Sequence, residues 1–353
     1  MEKKRDLNLD LIRAAACLLV VLLHTLFRVG FTAESLNSPA GWFQSSYWLL
    51  TKTCVPLFLL LSGWLNRDRQ AKADYYINYL HLYIPYLLVS AFSLTHYALF
   101  LKIPVDLHYA LGAILNFYAC NNTWYLMMYT GLYLMIPFLN ILYRGLETRG
   151  QKRLLLLSFF ALSVLPSLVN GRFHIYALWW TRLYPILFYF LGSYLREYPP
   201  RRRCRVYVLW LLCALLLFAL RNMLCFRGDL ERLAEVDYDH YEILALSLLI
   251  FCVLKTLPAE RLPEPAVRAV RLLAKSSFYV FLLSGISDDY ADAFLQAHAA
   301  SYHARFVWAP VTGLLSCALS VAAAMLLQPV GGFCAAKLMG WLRARAAGRN
   351  AGS

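Results

Sequence analysis

Charge is scarce in this chain. Only 15% of its 353 residues are Asp, Glu, Lys or Arg, while 60% are hydrophobic. An ordinary soluble domain has about 25% charged and roughly 45–50% apolar residues. The shortage excludes an ordinary soluble enzyme, and the apolar excess excludes a disordered or fibrous chain. Acidic residues are the rarer sign, 20 against 34 basic, giving a formal charge of +14. No Walker A sequence, Gly-rich dinucleotide fingerprint or internal repeat is found. Nine cysteines are present without a Cys-x-x-Cys. Most lie in apolar stretches, so they read as small packing residues, and no metal site is expected.

Long apolar runs are what the chain has instead. About 20 mostly apolar residues cross a bilayer as a helix. Ten candidates lie near residues 7–29, 45–66, 76–101, 123–143, 153–170, 177–195, 206–224, 240–257, 276–296 and 307–336. The expected fold is an all-α integral membrane protein of about ten transmembrane helices. The ninth run is the weakest, because Asp288, Asp289 and Asp292 interrupt it. Residues 108–118 are apolar but too short to span, and read as an interfacial or re-entrant helix. The first run follows Lys3, Lys4 and Arg5, as a signal peptide would, but it holds Arg13 and His24. It reads as a retained span.

Ten crossings sort the charge. One side then receives 24 basic residues and the other seven, with Arg13, Lys52 and Arg182 inside spans. Short basic loops stay cytoplasmic, so both termini are expected inside a plasma membrane. Carboxylates lean the other way, eight inside and eleven outside. The positive charge therefore reads as sidedness, and no nucleic-acid partner is expected. Residues 1–340 read as one multispan domain and 341–353 as a short basic cytoplasmic tail. The partners expected are membrane lipids, with a homodimer left open.

Ionisable groups in hydrocarbon are costly and are functional candidates. Arg13 and His24 are eleven residues apart. That is close to three turns, so they share one helix face about 16 Å apart along the axis. Asp10 lies one turn before Arg13 and can pair with it. Two bland alternatives stay open: Arg13 snorkelling to the interface, and His24 hydrogen-bonded in the core. The functional alternative makes His24 a general base and Arg13 the holder of an anionic donor. Lys52 and Arg182 are candidates for binding an acidic acceptor, although pairing with Asp288 or Asp289 is the preferred reading. His81 and His96 read as core or interfacial histidines. His174 reads as an outer-loop residue near the belt aromatics Trp179 and Trp180. The charged segment Arg227–Asp239 reads as a solvated loop.

These motifs form a set. Leu7–His24 (LNLDLIRAAACLLVVLLH) resembles the opening span of membrane acyltransferase family 3, with a basic residue, ten intervening residues and a His. Val55–Leu65 (VPLFLLLSGWL) resembles the family's Phe-rich Ser-Gly stretch, and Asn122–Leu139 (NTWYLMMYTGLYLMIPFL) its Trp-Tyr span. Pro85-Tyr86-Leu87 and Phe188–Leu195 (FYFLGSYL) also fit, in order along the chain. Phe281 and Ser284 depart from it, standing where the family often has Tyr and His.

The resemblance implies an integral membrane O-acyltransferase. It would move an acyl group, acetyl first, from a cytoplasmic acyl-CoA to a hydroxyl of a cell-surface polysaccharide or lipid-linked glycan. His24, Arg13 and Asp10 are the catalytic candidates. Arg13, Trp124 and Tyr125 are assigned to the donor, and Lys52, Arg182 and Ser62 to the acceptor. A transporter of a glycan or lipid-linked intermediate suits the composition equally, but no inverted repeat or paired broken helices support it.

Overall fold

The computed structural model describes residues 6–30, 35, 37, 39–120, 123–170, 175–299 and 301–350. His174 lies outside the described residues. Among them are fifteen α-helices and no strand. In chain order these are α1 (Leu7–Arg28), α2 (Pro39–Thr51), α3 (Cys54–Asn66), α4 (Ala73–Ile77) and α5 (Leu80–Phe100). Next come α6 (Leu107–Leu115), α7 (Trp124–Arg144), α8 (Arg149–Ser163), α9 (Leu165–Val169) and α10 (Tyr184–Glu197). The last are α11 (Cys204–Phe226), α12 (Leu230–Ala234), α13 (Tyr241–Thr256), α14 (Glu264–His298) and α15 (Tyr302–Asn350).

Seven helical segments are long and apolar enough to cross a membrane: 7–28, 41–66, 73–100, 124–144, 204–226, 264–298 and 307–345. Three of the ten expected spans are not among them. Each has a local cause. The fifth breaks at Val164, just before Pro166, leaving α8 and α9. The sixth begins as a 3₁₀ turn, Leu178–Leu183, and becomes α-helical only at Tyr184, next to Pro185. The eighth is α13, whose 16 residues end before Pro258. That helix is about 24 Å long, against a hydrocarbon core of about 30 Å.

Exposure is inverted relative to a soluble protein. On α11, Leu216, Leu217 and Leu224 are each more than 60% exposed. Such a face is stable only against lipid or a partner.

The chain divides into two compact units. The first comprises Met1–Arg67, Tyr143–Lys275 and Asp292–Leu314. In it α1 packs on α2, α3 and α13, α11 on α2 and α13, and α10 on α3 and α8. The α3–α10 contact is backbone on backbone. A Cβ built on Gly63 would lie 1.9 Å from the Tyr189 carbonyl oxygen, and one on Gly192 would lie 2.0 Å from that of Leu60. Ser193 Oγ donates to the Gly63 carbonyl at 3.1 Å. Small residues at a crossing are how membrane helices approach closely.

The second unit comprises Asp68–Leu142, Ser276–Ala291 and Leu315–Ser353. Here the expected weak ninth span is part of one continuous 35-residue helix, α14. Asp288 is buried and accepts a hydrogen bond from Ser316 Oγ of α15 at 2.5 Å. Ser276 Oγ donates to Gln328 Oε1 at 3.3 Å in the same antiparallel register. That register sets buried Ser284 opposite buried Ser320. The helix α15 continues to Asn350, so the expected tail from residue 341 starts inside a helix. The segment read as too short to span is α6, of nine residues.

Candidate active site

The helix α1 carries the main candidates. It starts at Asp6, whose carboxylate accepts from the Asn8 and Leu9 amides. Asn8 then ties it to α13, donating to the Leu254 and Leu257 carbonyls at 2.7 and 2.8 Å. Lys255 closes the same end on Asp6 and lies 5.0 Å from the Trp64 ring.

One turn in, Asp10 is buried and its Oδ1 lies 3.7 Å from Arg13 Nη1. The Arg13 side chain is 31% exposed, so this pair is a buried anion with a half-buried cation. His24 is half-buried on the same helix. The unbroken helix from Leu7 to Arg28 keeps Arg13 and His24 on one face, about 16 Å apart along the axis. Two neighbours flank the His24 turn. Tyr47 donates its hydroxyl to the Leu22 carbonyl at 3.4 Å. Gly313 lets α15 approach so closely that an added Cβ would fall 2.7 Å from Leu22 Cδ2 and 3.2 Å from Thr25 Oγ1.

A strap formed by Arg227–Asp239 sits beyond the end of α1. Phe27 meets Trp48 edge-on at 5.4 Å, and Trp48 Nε1 donates to the Val236 carbonyl at 3.2 Å. Lys52 occupies the break between α2 and α3. Its ammonium lies 4.6 Å from both the Trp48 and Tyr238 rings and 2.9 Å from Asp237 Oδ1. The expected partners Asp288 and Asp289 are therefore replaced by Asp237. A buried ammonium in such a cage serves the fold. Burial raises the nearby Asp239 carboxyl above its ordinary range, with Asp237 adding to it and His240 and Thr181 opposing. Behind the strap, fully buried Glu242 receives Arg221 Nη1 at 2.9 Å.

The other candidates are placed individually. Ser62 is buried on α3 and accepts from Asn66 Nδ2 at 3.3 Å. Arg182 is exposed on the 3₁₀ turn before α10. Trp124 and Tyr125 begin α7 in the second unit, their rings 6.2 Å apart and perpendicular. There Tyr125 also meets Phe281 at 5.6 Å, while Ser284 Oγ donates to the Phe281 carbonyl. His96 is buried and bonded through Nε2 to the Tyr290 hydroxyl at 2.8 Å. Among the described residues no group of three or more His, Cys, Asp or Glu is placed to hold a metal.

The strap is what sequence reasoning missed. Arg227–Asp239 reads as solvated by its charge, yet Leu230, Leu233, Val236 and Tyr238 are all buried. The three-residue spacing of Leu230, Leu233 and Val236, followed by the aromatic Tyr238, is the signal of an anchored segment.

No curated protein and no solved structure matches the chain. A family model described as an acyltransferase domain, that of acyltransferase family 3, matches residues 6–327. That range holds α1 through α14, the first half of α15, and the whole Asp10–Arg13–His24 face. The chain belongs to acyltransferase family 3, and it is a multi-pass membrane acyltransferase.

Proposed function

We propose that this enzyme transfers an acetyl group from cytoplasmic acetyl-CoA to a hydroxyl of a cell-surface polysaccharide or lipid-linked glycan. The observation that carries the reading is the shared face of α1, with a carboxylate-steadied arginine at one level and a histidine three turns away. The ten-crossing topology is part of the proposal. With α8–α9, the 3₁₀ turn with α10, and α13 counted as crossings, both termini lie in the cytoplasm of a plasma-membrane protein. The basic loops then all fall on one side.

Arg13 would draw the anionic donor from the inside, and Asp10 would fix its guanidinium. His24 would accept the proton of the acceptor hydroxyl. The oxygen attacks the thioester carbonyl, the C–S bond breaks, and the departing thiolate takes the proton from His24. Acceptor and thiol thus exchange acyl group and proton, with no other reactant. Membrane preparations given labelled acetyl-CoA test this. Wild type should acylate surface glycan, and His24→Ala should lose about 10²–10⁴ of the rate. Full activity in that variant would remove His24 from the mechanism.

A further inference from the structure

We infer that the start of α8 and the end of α10 form a binding site for a phosphate group, held by Arg149, Arg153 and Tyr194. The argument starts from charge balance. Five cations crowd this end of the first unit: Arg67, Arg149, Lys152, Arg153 and Arg196. Glu197 takes two of them, Lys152 Nζ at 2.7 Å and Arg67 Nη2 at 3.0 Å. Arg196 donates to the Trp64 carbonyl at 3.1 Å. Arg149 and Arg153 have no carboxylate partner among the described residues. Both instead give Nε to one phenol oxygen, Tyr194 Oη, at 2.9 and 3.3 Å.

That arrangement is specific. With Nε spent on the phenol, the Nη groups of both guanidiniums remain to bind an anion as forks. The phenol accepts both N–H groups, so its own O–H remains to donate. Tyr198 backs Arg149, with the guanidinium carbon 4.5 Å from its ring. Two like charges on one oxygen are costly unless an anion joins them. The position adds to the cost, because cations at a helix start oppose the helix dipole. Arg149 is the first residue of α8 and Arg153 is in its second turn, while Thr148 and Gln151 close a capping box around the first. Gly150 leaves the approach open, since an added Cβ would meet only Thr148 Oγ1 at 3.8 Å. An anion there relieves both penalties. Forked guanidiniums select a tetrahedral oxyanion with several acceptor oxygens, which is a phosphate.

Two sources carry this chemistry: an anionic phospholipid headgroup and a soluble phosphate ester. The site needs neither the acyl-transfer mechanism nor its acceptor. The test is thermal unfolding of the purified full chain in phosphatidylcholine–detergent micelles. Phosphatidylglycerol is added in one arm and inorganic pyrophosphate in the other. Wild type should show a saturable rise in midpoint. Arg149→Gln and Arg153→Gln should each weaken half-saturation about tenfold, the scale of a lost charge-assisted bond. Arg153→Lys, which keeps charge but not the fork, should weaken it as well, and serves where a glutamine variant folds poorly. A rise with phosphatidylglycerol alone assigns a lipid headgroup, and a rise with pyrophosphate assigns a soluble ester. No rise with either probe, or an equal rise in the arginine variants, overturns the site.

Discussion

Tyr75 and Tyr133 each donate their phenol to the other's backbone carbonyl, at 2.7 and 2.8 Å, with rings stacked 4.5 Å apart. One half of this exchange has a covalent cause. Pro137 stands four residues after Tyr133 in α7 and has no N–H for that carbonyl. Tyr75 of α4 supplies the missing donor. Tyr75→Phe should therefore cost about 1–3 kcal/mol, the range for a buried acceptor left unmade. Pro137→Ala should restore the helical donor and shrink that cost toward zero. Unfolding midpoints of the two single variants and the double variant measure the coupling. Strict additivity would mean that Tyr75 does not answer the proline.

The α3–α10 crossing gives a second prediction. Gly63→Ala puts a methyl into a backbone carbonyl that cannot rotate away, so the two helices must separate. The expected cost is about 3 kcal/mol or more, seen as lost folded yield in detergent. Gly131, in α7, is the control, because a Cβ there meets nothing within 4 Å. Gly131→Ala should be neutral, or stabilising by about 0.5–1 kcal/mol through helix propensity.

The Lys52–Asp237 pair is lopsided, and its two halves should not be equivalent. The lysine side chain is 9% exposed and the aspartate 46%. Asp237→Ala leaves an ammonium buried among rings and should cost about 2 kcal/mol, a discounted share of the penalty for a fully buried pair. Lys52→Met leaves a carboxylate that water can reach and keeps the stem packed, so it should cost under about 1 kcal/mol. Equal losses in thermal unfolding would show that the cage does not isolate the lysine.

Acid should weaken the α8–α10 end through Glu197. Burial works against its charge, but Lys152 and Arg67 outweigh that, and the carboxyl is held below its ordinary range. A carboxyl lower in the folded than in the unfolded state stabilises the fold above its unfolded pKa, about 4.3. The benefit fades as pH falls through that value toward the lower folded one. Glu197→Gln should lower the unfolding midpoint at neutral pH and flatten its fall in acid. Parallel acid limbs for the two proteins would contradict this.

How much of this was legible beforehand differs by element. The helix α1 was readable to within one residue, 7–29 against Leu7–Arg28, because apolar length fixes the helix, and pitch alone puts Asp10 beside Arg13. The short α6 was readable for the same reason. The breaks within the fifth and sixth spans and the shortness of α13 were not. Hydropathy averages over Pro166, Pro185 and Pro258, whereas backbone geometry responds to each one. The partner of Lys52 was also hidden, since Asp237 is 185 positions away in a stretch whose charges mask four buried anchors. Local periodicity carries no information about such closures.

The contact between Asp288 and Ser316 makes the sliding of α15 along α14 discontinuous. A one-residue shift turns the serine about 100° away, so the bond is either made or gone. The next hydroxyls to reach Asp288 are those of Thr312 and Ser320, four residues to either side, a travel of about 6 Å. Between those stops the buried carboxylate loses this donor. The two helices thus meet as a detent does, with preferred stops four residues apart.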